Sequence, residues 1–240
     1  MKLDTNGNLY TFIYAAVMVI IVAAVLAFTA IKLQPKQENN LKVEKMQNIL
    51  QSVGIQSKVE NAENLYKKYI TKQIIVNTKG DELEGDAFAI NLPAEAKAEV
   101  NSRKLPIFFA KLDDGTEKAV IPLTGKGLWG PIWGYLALES DFNTIYGVVF
   151  DHKGETPGLG AEINKDPFEL PFKGKTLFEG NKFVSITLYK GGKGASAAAG
   201  DTNHGCDAIS GGTITSKGLE RMMKEEWLNN YEAYLAKNKK

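Results

Sequence analysis

The hydropathy pattern begins with an apolar run from Thr11 to Leu33, TFIYAAVMVIIVAAVLAFTAIKL, whose one charge, Lys32, stands near the far end. As a helix this run reaches roughly 35 Å, enough to cross a hydrocarbon core about 30 Å thick. A secretory signal has a shorter apolar core and a small-residue cleavage site. The run therefore predicts an uncleaved single-pass anchor within residues 1–33, with lipid around 11–33 and Tyr10 and Tyr14 near one interface. QPKQENN, at 34–40, reads as a polar linker containing a proline.

Beyond it, Leu41, Val43, Met46, Ile49, Leu50 and Val53 recur at helical spacing, and Gly54 marks the end of that helix. A second helical stretch, 57–70, brings Val59, Leu65, Tyr66, Tyr69 and Ile70 toward a core. The middle of the chain then changes period. Short apolar or alternating runs at 73–78, 86–92, 107–112, 118–125, 134–140, 144–152 and 183–190 read as strands, and Asp113-Asp114-Gly115 reads as a hairpin loop. Lys190 to Gly205 is rich in glycine and alanine and reads as a long surface loop. A last helix, 217–237, places Leu219, Met222, Met223, Trp227, Tyr231, Tyr234 and Leu235 on one face, with Thr215 or Ser216 as its N-cap.

Strands grouped together with helices at the ends predict an α+β fold, a single N-terminal transmembrane helix followed by a largely antiparallel sheet domain. The expected organisation is an anchor at 1–33, a linker, helices and variable α/β region at 34–104, and the remaining domain at 105–240.

Charge narrows the partners. Without Lys2, Asp4 and Lys32, the rest of the chain carries 27 basic and 27 acidic residues, which argues against a nucleic-acid partner. One cysteine, Cys206, forms no intramolecular disulfide, and with two histidines, His152 and His204, the soft ligands are too few for a zinc or iron–sulfur centre. Around the anchor, Lys2 leads while Lys32, Lys36, Lys42 and Lys45 trail, so a bare count of positive charges puts the large domain in the cytoplasm.

Three stretches could carry chemistry. GKGLWGPIWGY, at 125–135, interleaves glycines with Leu128, Trp129, Ile132 and Trp133; by itself it is also what a tight turn between strands looks like, and it lacks P-loop spacing. DHKGETPGLGAEI, at 151–163, combines Pro157, Gly158 and Gly160 with the carboxylates Asp151, Glu155 and Glu162, but no nucleophile is spaced to partner them. DAISGGTITS, at 207–216, places Ser210, Thr213, Thr215 and Ser216 just before a helix start, where backbone N–H groups favour a phosphate. Read locally it is a capping turn. No G-x-S-x-G elbow occurs, and a hydrolytic serine or threonine finds no convincing base.

Taken in order behind one anchor, the three stretches resemble the FMN-binding domain family. Its members include the C-type subunit of the sodium-translocating NADH:quinone oxidoreductase and the G-type subunit of the Rnf electron-transport complex. In that family D-x-x-[ST]-G-A-[ST] receives FMN on its last hydroxyl through a phosphodiester bond made by a flavin transferase. Here the motif reads Asp207, Ala208, Ile209, Ser210, Gly211, Gly212, Thr213, so the resemblance implies Thr213 as acceptor; Gly212 departs from the usual alanine. It also implies that Thr156, Gly158 and Leu159 of ETPGLG lie along the flavin, with Ile209, Leu128 and Trp129 adding an apolar bed. GKGLWG and the chain length favour the C-type branch of the NADH:quinone oxidoreductase; an Rnf-type carrier and an anchored binding module without flavin remain as alternatives.

The resemblance covers the anchor and about 105–235, leaving 71–104 unmatched. It further implies a multi-subunit membrane redox complex carrying electrons from NADH toward quinone with sodium export. This protein would be one flavin relay in it, not catalytic alone, in the cell inner membrane with its flavin domain on the periplasmic side. The charge count and the resemblance thus disagree on orientation.

Overall fold

The computed structural model describes residues 7–240, so Lys2 and Asp4 of the charge counts lie outside the described residues. The chain divides into two units, Met1–Lys45 and Met46–Lys240. Helix α1 runs without interruption from Asn8 to Ser52. Its apolar stretch is long enough to cross a membrane, and every side chain from Thr11 to Leu33 is exposed. The linker expected at 34–40 is instead helical through Pro35. Proline removes one N–H from the ladder and costs about 3 kcal/mol inside a helix. Around it, Lys36, Gln37 and Glu38 are good helix formers, and Gln34 Nε2 donates to Glu38 Oε1 at 2.9 Å across that turn.

Gly54 does end α1. Its φ of 81° lets Gly54 N–H reach Gln51 O at 2.9 Å and Ile55 N–H reach Leu50 O at 3.0 Å, the paired bonds of a Schellman motif. Helix α2, Ala62–Tyr69, follows. Tyr66 and Tyr69 enter the core as expected, whereas Val59 lies before the helix and is exposed.

The sheet of the second unit comprises β1 (Ile70–Val76), β2 (Glu82–Leu83), β3 (Leu105–Lys111), β4 (Glu117–Lys126), β5 (Pro131–Leu138) and β6 (Ile145–His152). Their order is β2-β1-β3-β4-β5-β6, with every pair antiparallel. The 113–115 triplet makes the expected hairpin, with the Asp114 carboxylate accepting Thr116 N–H at 2.8 Å. No strand forms at 86–92. Asp86 accepts Phe88 N–H at 2.9 Å and starts a 3-10 turn, and Asn91 caps helix α3, Leu92–Lys97, with Pro93 in its first turn. Short side chains that bond their own backbone override an alternating apolar pattern.

Both faces of the sheet are covered. Ile107, Phe109, Ile121, Leu123, Leu136 and Phe150 pack into one core with the C-terminal helices. Phe108, Ala110, Val120, Tyr135 and Ala137 pack into the other with Ile49, Leu50, Tyr66 and Tyr69. Adjacent residues serve opposite faces, so two-sided burial makes β3 and β4 read as continuous apolar runs.

After the sheet come α4 (Asp166–Glu169), β7 (Phe178–Glu179), β8 (Lys182–Phe183), β9 (Thr187–Tyr189), α5 (Ala195–Ala198) and β10 (Gly205–Asp207). The strand expected at 183–190 is thus split, with Ser185 at φ 54° between its halves. α5 lies within the expected surface loop, and β10 pairs parallel with β9. The last helix is also divided, into α6 (Thr213–Arg221), a π-turn (Met222–Glu226), a 3-10 turn (Leu228–Tyr231) and α7 (Glu232–Asn238). Trp227, at φ −134° and ψ −63°, leaves helical geometry while its indole N–H donates to Pro122 O at 2.8 Å. All seven residues expected on its apolar face are buried.

Candidate functional site

At the end of β10 the chain turns before entering α6. Gly212 N–H bonds Ile209 O at 3.1 Å, and Gly211 at the third position has φ 77°, a value that type II turns require and glycine accepts without strain. α6 therefore starts at Thr213, with Gly212 in the cap position and no side chain capping it. The expected capping by Thr215 or Ser216 does not occur, because both lie inside the first turn and are buried. Thr215 Oγ1 donates to Glu155 Oε2 at 2.6 Å, and Ser216 Oγ accepts Ile209 N–H at 3.1 Å. Ser210 is exposed on the turn; Thr213, the first residue of the helix, is half-buried. A helix start leaves N–H groups without intrahelical partners and favours an anion.

Glu155 ties all three stretches together. Its side chain is buried, its N–H donates to His152 Nδ1 at 3.2 Å, and Oε1 accepts Trp129 N–H at 2.9 Å. With Thr215 on Oε2, one carboxylate joins the β4–β5 loop, the segment after β6 and the first turn of α6. A Cβ at Gly160 would stand 2.4 Å from Thr215 Oγ1 and 2.5 Å from Glu155 Oε2, so only glycine permits this junction. In the sequence Glu155 is one of three carboxylates without a spaced nucleophile, and nothing there marks it as the link between the stretches. The neighbouring carboxylates are also occupied: Asp151 accepts His152 N–H at 2.8 Å, and Glu162 accepts Gly158 N–H at 2.9 Å.

The three stretches expose several large apolar side chains. Leu128 and Trp129 at the loop tip are 45% and 69% exposed, Leu159 41% and Ile214 54%. Leu159 stands against the glycine turn: a Cβ on Gly211 would meet its Cδ2 at 2.6 Å, and one on Gly212 its carbonyl carbon at 3.2 Å and Ile209 Cγ2 at 2.9 Å. Glycine in place of alanine at 212 thus fits the close approach of Ile209. Thr156 and Gly158 lie on the exposed outer turn; Thr156 O accepts both Leu159 N–H and Ala161 N–H at 3.1 Å.

The Asp207 carboxylate is committed to the start of α5. It accepts Gly194 N–H at 2.5 Å and the N–H and hydroxyl of Ser196 at 2.8 Å, which pins α5. Desolvation opposes its charge, but those three donors prevail and hold the carboxyl below the usual range. A cavity of about 750 Å³ opens beside it, walled by Phe168, Leu170, Pro171, Ala208 and Ile209 with Lys165 and Lys193 among its polar groups. Asp207, Ala208 and Ile209 of the 207–213 motif form one side of that cavity, while its 165–171 side carried no motif in the sequence. Burial pushes the neighbouring Glu169 carboxyl up to about 7, with Asp166 and Asp151 adding and the Phe150 N–H and Lys165 opposing.

His204 and Cys206 have structural contacts. His204 Nδ1 lies 2.7 Å from Thr176 O. Cys206 lies on β10, and burial pushes its thiol up to about 12, leaving it little thiolate. Among the described residues, no group of three or more His, Cys, Asp or Glu side chains could hold a metal ion.

An FMN-binding domain family matches residues 127–227, a span that includes all three stretches from Gly127 onward. The Na(+)-translocating NADH-quinone reductase C subunit of Haemophilus ducreyi is 34% identical, covering 99% of this chain and 97% of its own. That of Pasteurella multocida is 33% identical over 90% of this chain and 88% of its own. Among solved structures, the C subunit of the same enzyme from Parabacteroides distasonis superposes with a TM-score of 0.75 at 41% identity, covering 85% of this chain and 96% of that one. The NqrC of Shewanella oneidensis gives 0.68 at 29% identity, covering 83% and 98%.

Proposed function

Since the chain belongs to the family of the Na(+)-translocating NADH-quinone reductase C subunit, we propose that it carries FMN covalently on Thr213 and passes electrons between partner subunits of that membrane complex. The observation that carries this reading is the convergence of three sequence-distant stretches, through Glu155, on a helix start with no side-chain cap.

The residues suit the group. The first turn of α6 offers backbone N–H groups to a phosphate. Leu159 and Ile209 beside the glycine turn, and the exposed Leu128 and Trp129 of the loop that Glu155 holds, would offer apolar surface to a flat ring, and the adjoining cavity is within the usual size of cofactor sites. FMN, when bound, supplies the electron-transfer chemistry. Attachment would need only a hydroxyl: Thr213 Oγ1 would form an ester bond to the flavin phosphorus as the phosphoanhydride bond of an activated flavin donor breaks, with the flavin transferase taking up the hydroxyl proton and releasing the departing phosphate group. The tether then keeps the flavin at high effective concentration beside its partners. Thr156 and Gly158 would border the ring from the outer turn.

Residues 11–33 of α1 are proposed to anchor the protein in the cell inner membrane, with the second unit on the periplasmic side. In this reading the complex moves electrons from NADH to quinone and exports sodium, and this protein is one relay.

Protein extracted from its own membrane is expected to stay yellow after denaturation and acid precipitation. A colourless precipitate with the flavin left in the supernatant would contradict covalent attachment.

A further inference from the structure

Resting on that reading, we propose that Glu155 is the positioning residue of the flavin-bearing turn: it fixes the first turn of α6, and its charge disfavours reduction of the group Thr213 carries. The two hydrogen-bond partners of the carboxylate lie 26 residues upstream and 60 residues downstream. Its two oxygens are what join the Trp129 loop to the first turn of α6. Gly127 and Gly160 both leave room for it, since a Cβ at either would stand 2.5 Å from a carboxylate oxygen.

A buried carboxylate is costly unless it is paired or well hydrogen-bonded, and no ion pair forms at Glu155 among the described residues. Its compensation comes from Trp129 N–H, the Thr215 hydroxyl and the positive end of α6. The phosphodiester on Thr213 would sit at that same helix end, two residues away, so two negative charges share it. Anchoring and charge are separable. In Glu155→Gln an amide of the same shape still accepts from Trp129 N–H and donates to Thr215 Oγ1 once that hydroxyl turns round. In Glu155→Ala both partners are stranded and the turn loses its tie to the loops.

The test uses the full-length protein made in a membrane host with its flavin transferase, comparing wild type with the two variants. Peptide mass measures the fraction of Thr213 loaded, and spectroelectrochemistry measures the flavin midpoint potential. Glu155→Ala should load about tenfold less or worse, as expected when a reacting atom is misplaced. Glu155→Gln should load close to wild type with a more positive potential, because removing a nearby negative charge favours the electron-rich form. Wild-type loading in Glu155→Ala, or an unchanged potential in Glu155→Gln, overturns the proposal. Should the alanine variant fail to fold, the glutamine variant decides alone. Wild type bare at Thr213 overturns the flavin reading itself, and this inference with it.

Discussion

Thr213→Ala is expected to carry no covalent flavin, Thr213→Ser to keep it, and Ser210→Ala to keep it. Four hydroxyls lie between Asp207 and Ser216, and the fold distinguishes among them. Thr215 is committed to Glu155 and Ser216 to Ile209 N–H. Ser210 stands on the exposed turn, upstream of the helix start. Only Thr213 combines a hydroxyl with the first helical position, where N–H groups meet a phosphate. Serine presents the same oxygen on the same Cβ, so it retains the acceptor. The threonine is half-buried, and the hydrogen bonds that hold the turn run through Ile209, Gly212, Thr215 and Ser216. Stability of the alanine variant should therefore stay within about 0.5 kcal/mol of the unflavinylated parent, as for substitutions away from packed features. Denaturing fluorescence and a melting curve check both halves of the prediction. Flavin retained on Thr213→Ala would place the acceptor elsewhere.

Gly218→Ala should produce the largest loss of stability near the site. α6 crosses the end of β4 so closely that a Cβ at 218 would lie 2.2 Å from Lys126 O. The strand has little room to yield, since Lys126 is paired with Pro131 across the β4–β5 hairpin. Overpacking costs about 1–3 kcal/mol, occasionally more; a backbone collision at this distance belongs at the upper end. Alanine gains roughly 1 kcal/mol of helix propensity over glycine, which offsets only part of it. The net effect is about 2 kcal/mol, or roughly 4–8 °C in Tm for a unit of this size. As α6 shifts outward, the Thr215–Glu155 bond stretches too, so flavin loading should fall together with stability. An unchanged Tm would show that α6 does not bear on β4 at this point.

The sheet was the most legible part of the fold, and the helices the least. The middles of β3, β4 and β5 are apolar because successive residues pack alternately against two cores, a pattern that survives without knowing the partners. At 86–92 the same apolar alternation misled, because Asp86 and Asn91 turn their side chains onto their own backbone. Pro35 read as a break, yet one missing rung does not end a helix flanked by good formers. The division of the last helix at Trp227 left no trace in the spacing, since Leu219 to Leu235 stay on one buried side through the change of pitch. At the site, glycines and hydroxyls marked the three stretches, but the link between them was invisible. The partners of Glu155 lie 26 and 60 residues away and are brought to it by the pairing of β4, β5 and β6 and the packing of α6, so local spacing carries no record of them.

Peptide mass spectrometry across 207–217, on protein taken from its native membrane, decides whether Thr213 carries the flavin. A peptide heavier by FMN less one water is expected, with fragment ions assigning the added mass to Thr213. The unmodified peptide alone, or the same mass on Ser210 or Thr215, would contradict attachment at Thr213.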